Sequence, residues 1–153
     1  MTTSDERRRD VEQITDVLVR YATGIDTKNW ALFRTCFTDD AHFDYDEIGQ
    51  WSDTDGITEF MIAAHEGMSD TKHMLHNIVI DLSDGDFSDE DHATAVTYVH
   101  TVQTLAADPS QWIDGVGQYD DHLVRTGDGW RISARTFTQT RLFTSFDFQR
   151  TSH

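Results

Sequence analysis

The chain has 153 residues, 37% hydrophobic and 11% aromatic, enough to close one core without disulfide or metal staples. Its formal charge of −16, from 28 acidic against 12 basic side chains, leaves no basic footprint for nucleic acid and would repel anionic lipid. A lone Cys36 excludes an intrachain disulfide, and no window approaches the roughly 20 apolar residues of a membrane span, so a single cytoplasmic domain over residues 1–153 is expected.

The first predicted helix starts at Thr3, where Thr3 and Glu6 can form a capping box, and runs to about Ala22, with Gly24 loosening its end. Val11, Ile14, Leu18, Tyr21 and Ile25 are spaced alternately by three and four, which lays one apolar stripe along it. The stripe includes a phenol and runs straight into Asp26. That carboxylate has two readings: a cap for the next helix, or the mouth of a site. A short second helix over residues 30–37 places Trp30, Phe33 and Phe37 on one side. In "AHFDYDE", Ala41, Phe43 and Tyr45 then share one strand face, and His42, Asp44 and Asp46 the other. "TDGITEFMIAAHEGM" reads as a third helix that buries Ile57, Phe60, Met61 and Ala64 and ends near Gly67.

From about Thr71 the rhythm changes to period two. "KHMLHNIVIDL" and "HATAVTYVHTVQTL" are strands joined by "SDGDFSDED"; "DGVGQYDDHLV" meets "GWRISARTFTQTRLF" through "RTGDG". Pro109 falls in a loop between strands, where it removes no ladder bond. On the first of these strands, alternation puts His73, Leu75, Asn77 and Val79 on one face and Met74, His76, Ile78 and Ile80 on the other. Across "RTGDG", a loop of two or four residues makes Asp120 share a face with Arg135; a one-residue slip puts Tyr119 there instead. Helices first and an antiparallel meander after make an α+β domain, whose long strands curl around the helices and enclose a pocket.

The eight histidines do not assemble a metal site: His73 and His76 point to opposite strand faces, and His100 and His122 show no ligand spacing. Asp81, Asp84, Asp86, Asp89, Glu90 and Asp91 depart from the spacing of a calcium loop and read as a solvated turn. No serine stands in a nucleophile elbow, and there is no glycine-rich phosphate loop. General acid–base chemistry remains. It needs a histidine held in one tautomer by a carboxylate, with Tyr21, Tyr45, Tyr119 and Arg135 available to steady developing negative charge.

The order of elements, with "YATGIDTKNW", "FTDDAHFDYDE", "TKHMLHN" and "GQYDDHLVRTGDGWRISARTF", resembles the SnoaL-like branch of the nuclear transport factor two-like superfamily over residues 8–148. Scytalone dehydratase and the bile acid 7α-dehydratases are the most similar groups within it. The resemblance implies a cone-shaped α+β barrel, three N-terminal helices on a strongly curved, mainly antiparallel sheet, with an interior Asp–His pair and no cofactor. It puts Asp26 and His73 at the dyad, Tyr45 and Tyr21 at pocket tyrosines, Tyr119 at a further pocket position and Arg135 near a late-strand arginine. Where scytalone dehydratase has a second pocket histidine, the register gives Thr97, with His100 on the opposite face. The implied activity is that of a lyase or isomerase taking a proton alpha to a carbonyl of a small, mainly apolar cyclic or polycyclic substrate. Polyketide cyclisation and a non-catalytic binding or dimerising domain are the alternatives. A small-molecule substrate and assembly into a homo-oligomer, dimer or trimer, complete the expectation.

Overall fold

A computed structural model describes residues 3–82 and 91–147. Three helices, α1 (Ser4–Asp26), α2 (Trp30–Arg34) and α3 (Thr54–Glu66), pack on a curved sheet of six strands. The strands are β1 (Phe37–Asp44), β2 (Gln50–Trp51), β3 (Met68–Leu82), β4 (His92–Leu105), β5 (Trp112–Thr126) and β6 (Gly129–Thr144), in spatial order β2-β1-β6-β5-β4-β3. Every pairing is antiparallel except β1 with β6, so the architecture is the expected α+β cone. No helix among the described residues is long and apolar enough to cross a membrane.

The capping box forms: the Thr3 hydroxyl accepts from the Glu6 amide, and the Glu6 carboxylate accepts from the Thr3 amide at 2.7 Å. The helix does not stop at Ala22 but continues to Asp26, and Gly24 in its last turn lets the α2 backbone approach. A Cβ there would sit 2.9 Å from the Phe33 amide nitrogen. Val17 joins Ile14, Leu18, Tyr21 and Ile25 on the buried stripe, whereas Val11 lies outside it, 39% exposed. The cap of α2 is Asn29, not Asp26, and the helix ends at Arg34, so Phe37 opens β1 instead of closing α2. On α3 the buried partner of Ile57 and Met61 is His65; Ala64 faces solvent.

Two β-bulges correct the simple alternation. On β3, His76 pairs with Tyr98 but Val79 pairs with Val96, so Asn77 and Ile78 together oppose Thr97. Asn77 absorbs the kink at φ 49, and Ile78 and Ile80 turn inward with Leu75 while Val79 is 64% exposed. On β6, Thr126 pairs with Gly129, a two-residue loop, yet the register slips between His122 and Leu123 because Ser133 is the extra residue. Asp121, not Asp120, therefore faces Arg135, and Tyr119 points inward opposite Phe137. Of the acidic turn, Asp84, Asp86, Asp89 and Glu90 lie outside the described residues.

At one end of the sheet, Asp10 on α1 is a buried anchor. Its carboxylate accepts from Arg125 at 2.8 and 2.9 Å and from the Trp130 indole at 3.1 Å, with the guanidinium over the Trp130 ring. The Arg125 hydrogen bonds hold Asp10 below the usual carboxylate range, so its contribution is complete above the unfolded value and is lost as pH falls through the lower, folded one. Asp10→Ala should cost about 2 kcal/mol at neutral pH, since it takes the acceptor from a buried indole and removes two of the hydrogen bonds of Arg125, which keeps Asp91. Denaturant unfolding of both proteins checks this. The difference should shrink as the pH is taken below about 4.

Candidate active site

The end of α1 and the start of β3 meet through Asp26. Both carboxylate oxygens accept the His73 main-chain N–H, at 3.1 and 2.9 Å, and Oδ1 also accepts the ring Nδ1–H at 2.7 Å. An ionised carboxylate can only accept, so the bond places the ring proton on Nδ1 and leaves the lone pair on Nε2. No described residue hydrogen-bonds that Nε2. The two side chains are 18% and 6% exposed for Asp26 and His73, close to solvent yet largely out of it. His73 is thus positioned twice, by its strand backbone and by its ring.

Behind the dyad lies an aromatic stack. The Tyr21 ring stands edge-on to His73 with centroids 6.2 Å apart, and its hydroxyl is 3.1 Å from that of Tyr119. Phe33, Phe37, Phe43, Tyr45 and Phe137 extend the stack across the interior. Arg135 is buried within it: its guanidinium carbon lies 4.0 Å from the Tyr21 ring centroid and 3.9 Å from that of Tyr119. Asp121 grips the same guanidinium in a fork, Nε at 2.7 Å and Nη2 at 2.8 Å. Burial pulls the Arg135 guanidinium down, but the Asp121 charge and hydrogen bonds more than offset it, so the group stays cationic. Burial likewise pushes the phenols of Tyr21, Tyr45 and Tyr119 above their ordinary range, which keeps them protonated donors.

Three buried polar atoms in this interior make no well-formed hydrogen bond to a described residue: Tyr45 Oη, which lies near enough to Tyr21 and Arg135 to interact weakly with both, Arg135 Nη1 and Thr97 Oγ1. Thr97 faces Tyr119 across the β4–β5 pairing. Buried polar atoms are nearly always satisfied, so these three are candidates for contact with a ligand; Thr38 Oγ1, Thr71 Oγ1 and Arg131 Nε are in the same condition elsewhere. Partly buried Trp30, Phe60, Leu75, Ile78 and Phe137 pack against the same core and give it an apolar wall. A groove of about 360 Å³ lies over the β1–β2 end, lined by His42, Asp44, Gln50 and Ser52 and reaching Arg135 on β6, and neither member of the dyad lines it.

The structure therefore brings together Asp26 and His73, and gathers Tyr21, Tyr45, Tyr119 and Arg135 behind them. Two neighbours were not legible in the sequence. Asp121 was hidden by the Ser133 bulge. His65, on α3, has its ring centroid 5.9 Å from that of His73, donates from Nδ1 to the Met61 carbonyl at 2.8 Å and accepts at Nε2 from Gln103 at 3.2 Å. Burial lowers the His65 pKa, so this ring is a neutral neighbour of the dyad. Its position at the i+4 step from Met61 was the available signal. His76 and His100 sit on the outer face, paired with Tyr98 and Met74.

Comparison with known proteins bears on the family and the fold. A family model described as a SnoaL-like domain matches residues 6–136. An uncharacterised protein of Mycobacterium tuberculosis is 30% identical over 131 residues, 83% of each chain. The fold is similar to that of a candidate aromatic ring hydroxylase from Novosphingobium aromaticivorans, with a TM-score of 0.78 and 26% identity over 90% of this chain and 94% of that one. It is similar also to a candidate scytalone dehydratase from the same organism (TM-score 0.81, 18% identity, 98% and 95% covered). A hexachlorocyclohexane dehydrochlorinase from Novosphingobium barchaimii shares it too (TM-score 0.79, 16% identity, 97% and 100% covered). At those last identities the likeness is one of fold.

The Tyr45 hydroxyl yields a prediction that separates ligand binding from packing. Tyr45→Phe deletes a buried hydroxyl that makes no well-formed hydrogen bond to a described residue, so thermal or denaturant unfolding should place the variant within about 1 kcal/mol of the parent. A larger loss of stability would mean that the hydroxyl serves the core.

Proposed function

The chain belongs to the SnoaL-like domain family, and from that premise we propose that it is a lyase or isomerase that removes a proton alpha to a carbonyl without a bound cofactor. The observation that carries this reading is the 2.7 Å bond from His73 Nδ1 to an Asp26 carboxylate that also holds the His73 main chain. His73 Nε2 takes the proton, and the electrons of the broken C–H bond pass into the carbonyl to form an enolate. Asp26 holds the imidazole in the tautomer that exposes Nε2 and then stabilises the imidazolium.

The enolate oxygen is met by Tyr45 Oη and Arg135 Nη1, donors that make no well-formed hydrogen bond within the described residues. Tyr21 and Tyr119 share one proton between their hydroxyls and retain a second that can donate. If the substrate carries a hydroxyl beta to the carbonyl, the imidazolium returns its proton to that oxygen, water leaves and an enone forms. If it carries a double bond there instead, the proton returns farther along and the bond migrates. The apolar wall of Trp30, Phe60, Leu75 and Phe137 suits a cyclic or polycyclic carbon skeleton.

Screening hydroxylated and unsaturated cyclic ketones for turnover tests this. His73→Ala should lose roughly 10²- to 10⁴-fold in rate, and Asp26→Asn nearly as much, because the wrong tautomer is freed while the shape is kept. His76→Ala, altered on the outer face of the same strand, should keep wild-type turnover. Equal losses in the His73 and His76 variants, or none at His73, would leave a binding domain as the better reading.

A further inference from the structure

The charge inside the cone selects what can enter it. Among the described residues the interior holds one guanidinium, and its charge is balanced: Asp121, with its side chain fully buried, takes both Nε and Nη2 of Arg135 and leaves Nη1. His65 is neutral, held at both ring nitrogens, and the three phenols keep their protons. Lys28 and Lys72 lie at the surface near the dyad, but one donates to the Met68 carbonyl and the other pairs with Asp70. What remains unbalanced is the carboxylate of Asp26, beside the base. A second negative charge brought into this low-dielectric space would meet that carboxylate and Asp121, with one half-used guanidinium to receive it.

We propose that Asp121 is a specificity-determining residue: by neutralising Arg135 it makes the site accept an uncharged carbonyl compound and reject its carboxylate analogue. This rests on the interior being the substrate site, as under the proposed function. Arg135 Nη1, Tyr45 Oη and Thr97 Oγ1 then offer hydrogen bonds without net charge, which suits a ketone oxygen and leaves a carboxylate short of compensation. Asp121→Asn keeps the shape and an acceptor for the fork but frees the charge of Arg135. Discrimination then turns on one carboxyl oxygen of the protein that no substrate atom has to touch.

Acetophenone and benzoate, a neutral ketone and the carboxylate of similar size, are the probes, titrated at neutral pH and followed by NMR. Wild type should bind acetophenone about tenfold or more tightly than benzoate. Asp121→Asn should shift the ratio toward benzoate by at least about tenfold. The double variant Asp121→Asn/Arg135→Gln, which removes both charges, should return to the wild-type preference. Benzoate binding as tightly as acetophenone in wild type, neither probe binding at millimolar concentration, or a ratio unchanged in Asp121→Asn would each overturn the proposal. If the single variant does not fold, the double variant decides: a lost ketone preference overturns it. Failure of the proton-abstraction reading would appear instead as turnover untouched by His73→Ala, with this binding ratio still in place.

Discussion

The two oxygens of Asp26 join the last turn of α1 to the inner face of β3, and the geometry of the interior follows from that junction. A carboxylate at the end of a helix is disfavoured by the helix dipole, which puts partial negative charge at that end. Here it is compensated by a main-chain N–H and an imidazole N–H from one residue, His73. The same carboxylate holds the strand and orients the ring, so the dyad is tied to the seating of α1 on the sheet. Gly24 makes this possible two residues earlier, by letting α2 close against α1 so that the helix end turns toward β3.

Around that junction the chain gathers aromatic residues in a continuous stack and places inside it the one fully buried ion pair among the described residues. A buried pair of this kind is poor evidence of extra stability, since well-packed apolar residues would often serve as well. On the proposed function, its presence beside hydroxyls that lack a well-formed bond is polarity arranged in advance for a ligand. The cost is borne elsewhere, in α1 burying its apolar stripe and in the Asp10–Arg125–Trp130 anchor at the other end of the helix.

Much of this was legible from local chemistry. The capping box, the Tyr21 stripe, the inward faces of Ala41, Phe43 and Tyr45, and the convergence of helices on a meander all follow from residue type and period. The bulges were not. Alternation carried past Asn77 assigns Ile78 and Ile80 to the wrong face, and carried past Ser133 it offers Asp120 to Arg135 in place of Asp121. A bulge answers to the curvature that a sheet needs in order to wrap helices, a demand of the whole fold that no single residue announces. Asn77, a residue tolerant of positive φ, was the nearest thing to a local mark. His65 escaped for the opposite reason: on α3 a histidine at a buried helical position looks like packing, and its neighbourhood to His73 exists only in three dimensions.

The central claim is that His73 removes a proton from carbon, and hydrogen–deuterium exchange measures that step without knowledge of the final product. Cyclic ketones incubated with the protein in deuterium oxide would be followed by NMR for label entering the position alpha to the carbonyl. Exchange well above the buffer rate with wild type, abolished in His73→Ala and unaffected in His76→Ala, is what the dyad predicts. Exchange that stays at the buffer rate for every ketone, or that persists undiminished in His73→Ala, would contradict it.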